Sequence, residues 1–128
     1  MILNDLLNYT GKFKHRNEKI KDVVLVFLKP IQHENSIVYS SYNNNKKYYQ
    51  FIEILGKNIT KRSDVKIFCN CESFYYEFQY VVEELKSLFL NEKIKSTFFK
   101  KPLNKNPYMI ASGCKHINRL ARKIYYRR

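Results

Sequence analysis

The chain has no tryptophan and only three glycines, three prolines and three cysteines among its 128 residues. It also has no long apolar run. The longest, residues 23–28, falls far short of the roughly 20 residues that a bilayer span needs. The first 11 residues lack the basic start and apolar stretch of a secretory signal. An odd number of cysteines argues against a paired disulfide framework, so the chain reads as one made in a reducing cytosol. There is no Gly-rich phosphate loop, no Ser or Cys nucleophile with a spaced base, and no acidic metal cluster, which removes the common routes to an enzyme. His15 and His33 have no partners near them in sequence and read as solvated. No internal repeat is visible.

Acid is missing from one region altogether. Residues 93–128 hold 11 Lys/Arg and no Asp or Glu, whereas residues 1–92 hold 13 Lys/Arg against 11 acids. Nearly all of the net charge of +13 therefore sits in the last quarter of the chain. Such a segment attracts a polyanion, either nucleic acid or an acidic protein surface. Lys100, Lys101, Lys105, Arg119, Arg122, Lys123, Arg127 and Arg128 are the residues expected to meet it.

What the chain does contain is aromatic: 11 Tyr and 9 Phe within a hydrophobic fraction of 45%. That is enough for the core of one domain. Ile2, Leu3, Leu6 and Leu7 recur at helical spacing, so residues 1–22 read as a short N-terminal helix or an arm that packs on a neighbour. Residues 12–22 within it read as a loop. Strands are expected at 23–28, stopped by Pro30, and at 36–42, 47–55 and 65–69, with helix as the alternative for the third. The turns between them suggest an antiparallel meander over residues 23–69. The period then changes: Phe74, Phe78, Val81, Leu85 and Leu88 recur at steps of four and three, a helical stripe. Residues 91–113 read as a long loop, in which Phe98, Phe99 and Tyr108 are interleaved with lysines and serve either the domain's own core or a partner. Ile117, Leu120, Ala121, Ile124 and Tyr125 mark a last amphipathic helix, with Arg119, Arg122 and Lys123 opposite.

All three cysteines and one of the three histidines fall in two tight pairs, Cys69-Asn70-Cys71 and Cys114-Lys115-His116. Structural zinc takes four tetrahedral ligands from thiolates and imidazole. Neither pair suffices alone, and together they make Cys3His. A turn after Cys69 is needed to bring Cys71 to the same metal. Gly113 is expected to let the chain bend before Cys114, and the free N–H groups of the last helix to face thiolate charge. Lys66 and Lys115 are placed to offset the surplus negative charge. The alternatives are three buried free thiols beside an exposed histidine, or a catalytic zinc. A catalytic zinc would need an open coordination position and a general base, and no carboxylate stands at a metallohydrolase spacing from these ligands.

The order Cys-x-Cys then Cys-x-His resembles the SWIM-type zinc finger, whose members place these ligands on a strand pair and a following helix and are associated with binding DNA or protein. Here 42 residues separate the two pairs, far more than in typical members. A narrower resemblance spans about residues 65–120. The run Val65-Lys66-Ile67-Phe68-Cys69-Asn70-Cys71-Glu72-Ser73-Phe74, then Asn106-Pro107, then Gly113-Cys114-Lys115-His116-Ile117 is similar to small structural proteins of tailed bacteriophages. That resemblance implies a virion part at the neck, tail or baseplate.

The expected architecture is thus a single α+β domain over residues 1–128. A small antiparallel sheet of about four strands precedes residues 69–128, where an aromatic helix and a C-terminal helix are pinned by one structural zinc ion. The expected role is non-enzymatic: a structural or interaction protein that meets other protein subunits in a virion after synthesis in the host cytoplasm. It would use no membrane and no small-molecule substrate. The alternative is a cytoplasmic nucleic-acid-binding module that uses residues 93–128.

Overall fold

The computed structural model describes residues 1–7, 23–90, 106 and 110–126. The readings placed on residues 12–22, on Phe98, Phe99, Pro107 and Tyr108, and on Lys100, Lys101, Lys105, Arg127 and Arg128 lie outside the described residues. The fold is α+β, with helix α1 (Asn4–Leu7), strands β1 (Leu25–Phe27), β2 (Ile31–Gln32), β3 (Ser36–Asn43), β4 (Tyr49–Leu55) and β5 (Val65–Cys69), then helices α2 (Glu72–Glu77), α3 (Gln79–Glu84) and α4 (Lys115–Tyr126).

All pairings among these strands are antiparallel, in the order β1-β3-β4-β5, with β2 also on β3. The strand expected at 23–28 is β1, and a further short strand that was not expected, β2, follows it on the same neighbour. Phe27 faces Ser41 and Ile31 faces Val38, so four steps along this segment match three along β3. The extra residue makes a bulge around Pro30, which has no N–H to give the ladder. Pro30 therefore lies between β1, which has ended before it, and β2.

Period-two alternation decides what each strand buries. Gln50, Ile52 and Ile54 of β4 lie opposite Cys69, Ile67 and Val65 of β5, and all six are buried. Against this inner face pack Leu3, Leu6 and Leu7 at the N-terminus and Ile117, Leu120, Ala121 and Ile124 of α4. The N-terminal residues belong to this core rather than to a free arm. Leu3 and Val65 bond across to Ser63 and Met1, and the Asn118 amide donates to the Leu6 carbonyl at 3.1 Å. On the outer face Phe51 and Phe89 stack with centroids 5.0 Å apart, beside buried Val38.

The aromatic stripe departs from its expected course. α2 and α3 abut at Phe78, and the amide ladder runs on through it from Phe78 to Phe74 and from Val82 to Phe78. The helix then stops at Glu84, about one turn short of the expected Leu88. Lys86 takes a left-handed φ of 56°, and the Ser87 amide donates back to the Val82 carbonyl, a Schellman ending. Leu85 is consequently exposed. Leu88 is buried for another reason: residues 87–89 pair parallel to β5 through Ile67.

Candidate metal centre

Three elements converge at one end of the inner face. β5 ends at Cys69, directly before the turn residue Asn70, whose side chain accepts from the Tyr49 amide at 2.8 Å. Cys71 is the N-cap of α2, its sulfur accepting from the Phe74 amide at 3.3 Å. Cys114 immediately precedes α4, its carbonyl accepting from the Asn118 amide, and His116 projects from the helix's first turn.

All four side chains are buried, and their ligand atoms lie within 4.8 Å of one another. His116 Nδ1 is 3.9 Å from both Cys69 Sγ and Cys114 Sγ. A tetrahedral ion with bonds of about 2.0–2.3 Å holds its ligand atoms about 3.5–3.8 Å apart. The group could therefore hold one metal ion after small adjustment. The sequence pairs and the structure agree on all four residues.

Electrostatics point the same way. Burial pushes the Cys69 thiol from an ordinary 9.0 up to about 12, and burial also pushes Cys114 well above its ordinary value. Hydrogen bonds from Cys114 and Cys69 hold Cys71 far below the thiol range. Without a cation, the cluster thus carries a single thiolate that two protonated neighbours solvate. A dication is what permits all three to ionise in so dry a place.

Two expected neighbours do not contribute. Lys66 pairs with Glu53 on the outer face, opposite to Cys69, and Lys115 is exposed. Other side chains stand around the cluster. Gln50 Nε2 approaches Cys69 Sγ at 3.6 Å, and the Tyr48 ring lies 5.6 Å from that of His116. Asn106 is wholly buried: its amide donates to the carbonyls of Glu77 and Ile110 and accepts from the Ile110 amide, each at 3.0 Å. It ties the approach to Cys114 onto the end of α2.

No protein-family model, curated protein or solved structure matches the chain.

Of the basic residues on α4, Arg119, Arg122 and Lys123 are half-buried rather than fully presented to solvent. Arg119 and Lys123 lie over the Phe27 ring at 5.9 and 5.7 Å, and Arg119 donates to the Val23 carbonyl. No helix of the described residues is long and apolar enough to cross a membrane.

Gly113 serves by its size, not by a left-handed backbone. A Cβ there would lie 2.6 Å from Ile117 Cγ2 and 2.8 Å from Ile117 Cβ. Gly113→Ala is therefore expected to push Ile117 out of the core at a cost of about 1–3 kcal/mol, and to weaken metal retention through the adjoining Cys114. Denaturant melts of metal-loaded protein check this, and an unchanged midpoint would refute it.

Proposed function

We propose that Cys69, Cys71, Cys114 and His116 hold one zinc ion in a closed structural site, and that the chain is a non-enzymatic component of a larger protein assembly. The observation that carries the first part is the burial of all four ligands where β5, α2 and α4 meet. Three thiolates and one imidazole are a donor set that structural zinc takes, and four protein ligands leave no coordination position for a reacting water. The ion's work is then mechanical. It fastens the end of the sheet to two helices that are distant in sequence, as the SWIM-like order of ligands also suggests.

The assembly role rests on different ground. The order of residues from Val65 to Leu120 resembles that of small structural proteins of tailed bacteriophages, which supports a place in a virion. Exposed Tyr75 and Tyr76 on α2 suit contact with other subunits. A nucleic-acid-binding module is the second reading, favoured by a helix α4 that carries Arg119, Arg122 and Lys123 and no acid.

One comparison decides between them. Native mass spectrometry of the isolated chain should give one zinc per chain. Mass spectrometry of purified particles from the source should find the chain among the virion proteins. Absence from particles, together with salt-sensitive DNA or RNA binding that Arg119→Glu with Arg122→Glu abolishes, would replace the first reading with the second.

A further inference from the structure

Gln50 stands where an apolar residue belongs. Its strand alternates, and the other inward positions of β4 are Ile52 and Ile54. Gln50 is as fully buried as they are, and its cross-strand partner is Cys69. A primary amide in an apolar interior is costly unless both of its ends are paired.

Both ends are paired here, and only one orientation suits a metal site. Ser41 Oγ donates to Gln50 Oε1 at 2.7 Å, and Gln50 Nε2 is directed at Cys69 Sγ at 3.6 Å. A metal-bound thiolate has no proton and can only accept. The amide must therefore turn its N–H to the sulfur and its oxygen to the hydroxyl, which is the arrangement found. Ser41, Gln50 and Cys69 thus form a buried polar line across β3, β4 and β5.

The three sulfurs are not served alike. Cys71 accepts from the Phe74 amide and Cys69 from Gln50, whereas the nitrogen found beside Cys114 Sγ is the His116 ring Nδ1, itself a candidate metal ligand and equally close to Cys69. The Phe74 bond comes free with the capping of α2. The Gln50 bond requires a particular side chain.

We infer that Gln50 is a positioning residue of the metal centre: held by Ser41, it fixes the Cys69 thiolate and draws down its charge so that three thiolates share one dication. This inference rests on the metal-binding reading above. Partners behind metal ligands hold their geometry and basicity, and their loss typically costs about 10- to 100-fold in metal affinity. An N–H bonded to a thiolate also lowers the energy of the sulfur lone pair, so its removal should move thiolate-to-metal charge transfer to longer wavelength.

The test uses the full chain with Co2+ alone as probe, titrated in competition with a chelator. The unaltered chain should take up one Co2+ with tetrahedral thiolate bands; failure to do so would overturn the metal-binding reading and this inference with it. Gln50→Leu should bind Co2+ about 10- to 100-fold more weakly, with charge-transfer bands shifted to longer wavelength. Ser41→Ala, which keeps the amide but releases its far end, should change both in the same direction by less. Bands that stay in place in Gln50→Leu while affinity holds, or while only the melting temperature falls, would overturn the inference and leave the metal site standing. Should Gln50→Leu fail to fold, an unaltered affinity and spectrum in Ser41→Ala would overturn it equally.

Discussion

Cys114→Ser should lose the metal ion and lower the melting temperature of the protein by roughly 10–20 °C. The size follows from what the ion joins. Cys71 and Cys114 are separated by 42 residues, and a cross-link that closes a loop of this order stabilises a fold by about 4 kcal/mol through the entropy it removes from the unfolded chain. A ligand at about a thousand times its dissociation constant contributes a similar amount by mass action. For a chain of this length each kcal/mol moves the midpoint by about 3–5 °C. Serine offers no thiolate, so three ligands remain and the shell is broken.

The loss should not unfold the whole chain. Ile117, Leu120 and Ile124 still pack α4 against the inner face of the sheet. Hydrogen exchange should therefore rise first around residues 70–77 and 110–118, while β3 and β4 stay protected. The control separates metal from packing. A chelator should lower the midpoint of the unaltered protein nearly to that of Cys114→Ser, and should do nothing further to the variant. An unchanged melting temperature after chelation, with no metal found by elemental analysis, would refute the metal site.

The candidate ligands were legible because metal chemistry leaves a local mark. Four residues of the right kinds fall in two i, i+2 pairs, a spacing that one tetrahedral ion could use. The strands were legible where burial alternates cleanly, as at Gln50, Ile52 and Ile54 or Val65, Ile67 and Cys69. Periodicity failed where a tertiary contact overrode it. Leu88 continues a helical stripe in sequence, yet the left-handed turn at Lys86 sends it to the edge of β5. β2 was missed because a bulge shifts its register, and no residue pattern announces a single extra residue. The surroundings of the site were the least legible. Gln50 did leave a signal, a polar residue in an inward register, but its meaning depends on the strand pairing that sets it opposite Cys69. Asn106 entered only through the Asn106-Pro107 step of the phage-like order, and its three hydrogen bonds go to backbone groups that no motif identifies.

Metal affinity should rise about 100-fold for each pH unit across the neutral range. The reasoning is a count of protons. In the metal-free fold burial pushes Cys69 up to about 12 and sends Cys114 well above its ordinary value, so both are protonated at neutral pH. Cys71 is already a thiolate there, held low by hydrogen bonds from Cys114 and Cys69. A metal ion needs all three as thiolates, so binding expels two protons. Because the bound form carries two protons fewer, acid favours the metal-free form and alkali the bound one. The dependence should persist from neutral pH up towards the raised value of Cys69, above which no proton remains to be expelled from it. The folding contribution of these two thiols has the opposite sense: a raised thiol stabilises the metal-free fold below its ordinary pKa, and that contribution is lost as pH rises through the folded value. Calorimetric titration in buffers of different ionisation enthalpy counts the released protons directly, and chelator competition at two or three pH values gives the slope. A count near two means that the cluster stays assembled without metal, with Cys71 carrying its charge. A count near three would mean that it opens, returning Cys71 to an ordinary thiol, and an affinity independent of pH would exclude thiolate ligation altogether.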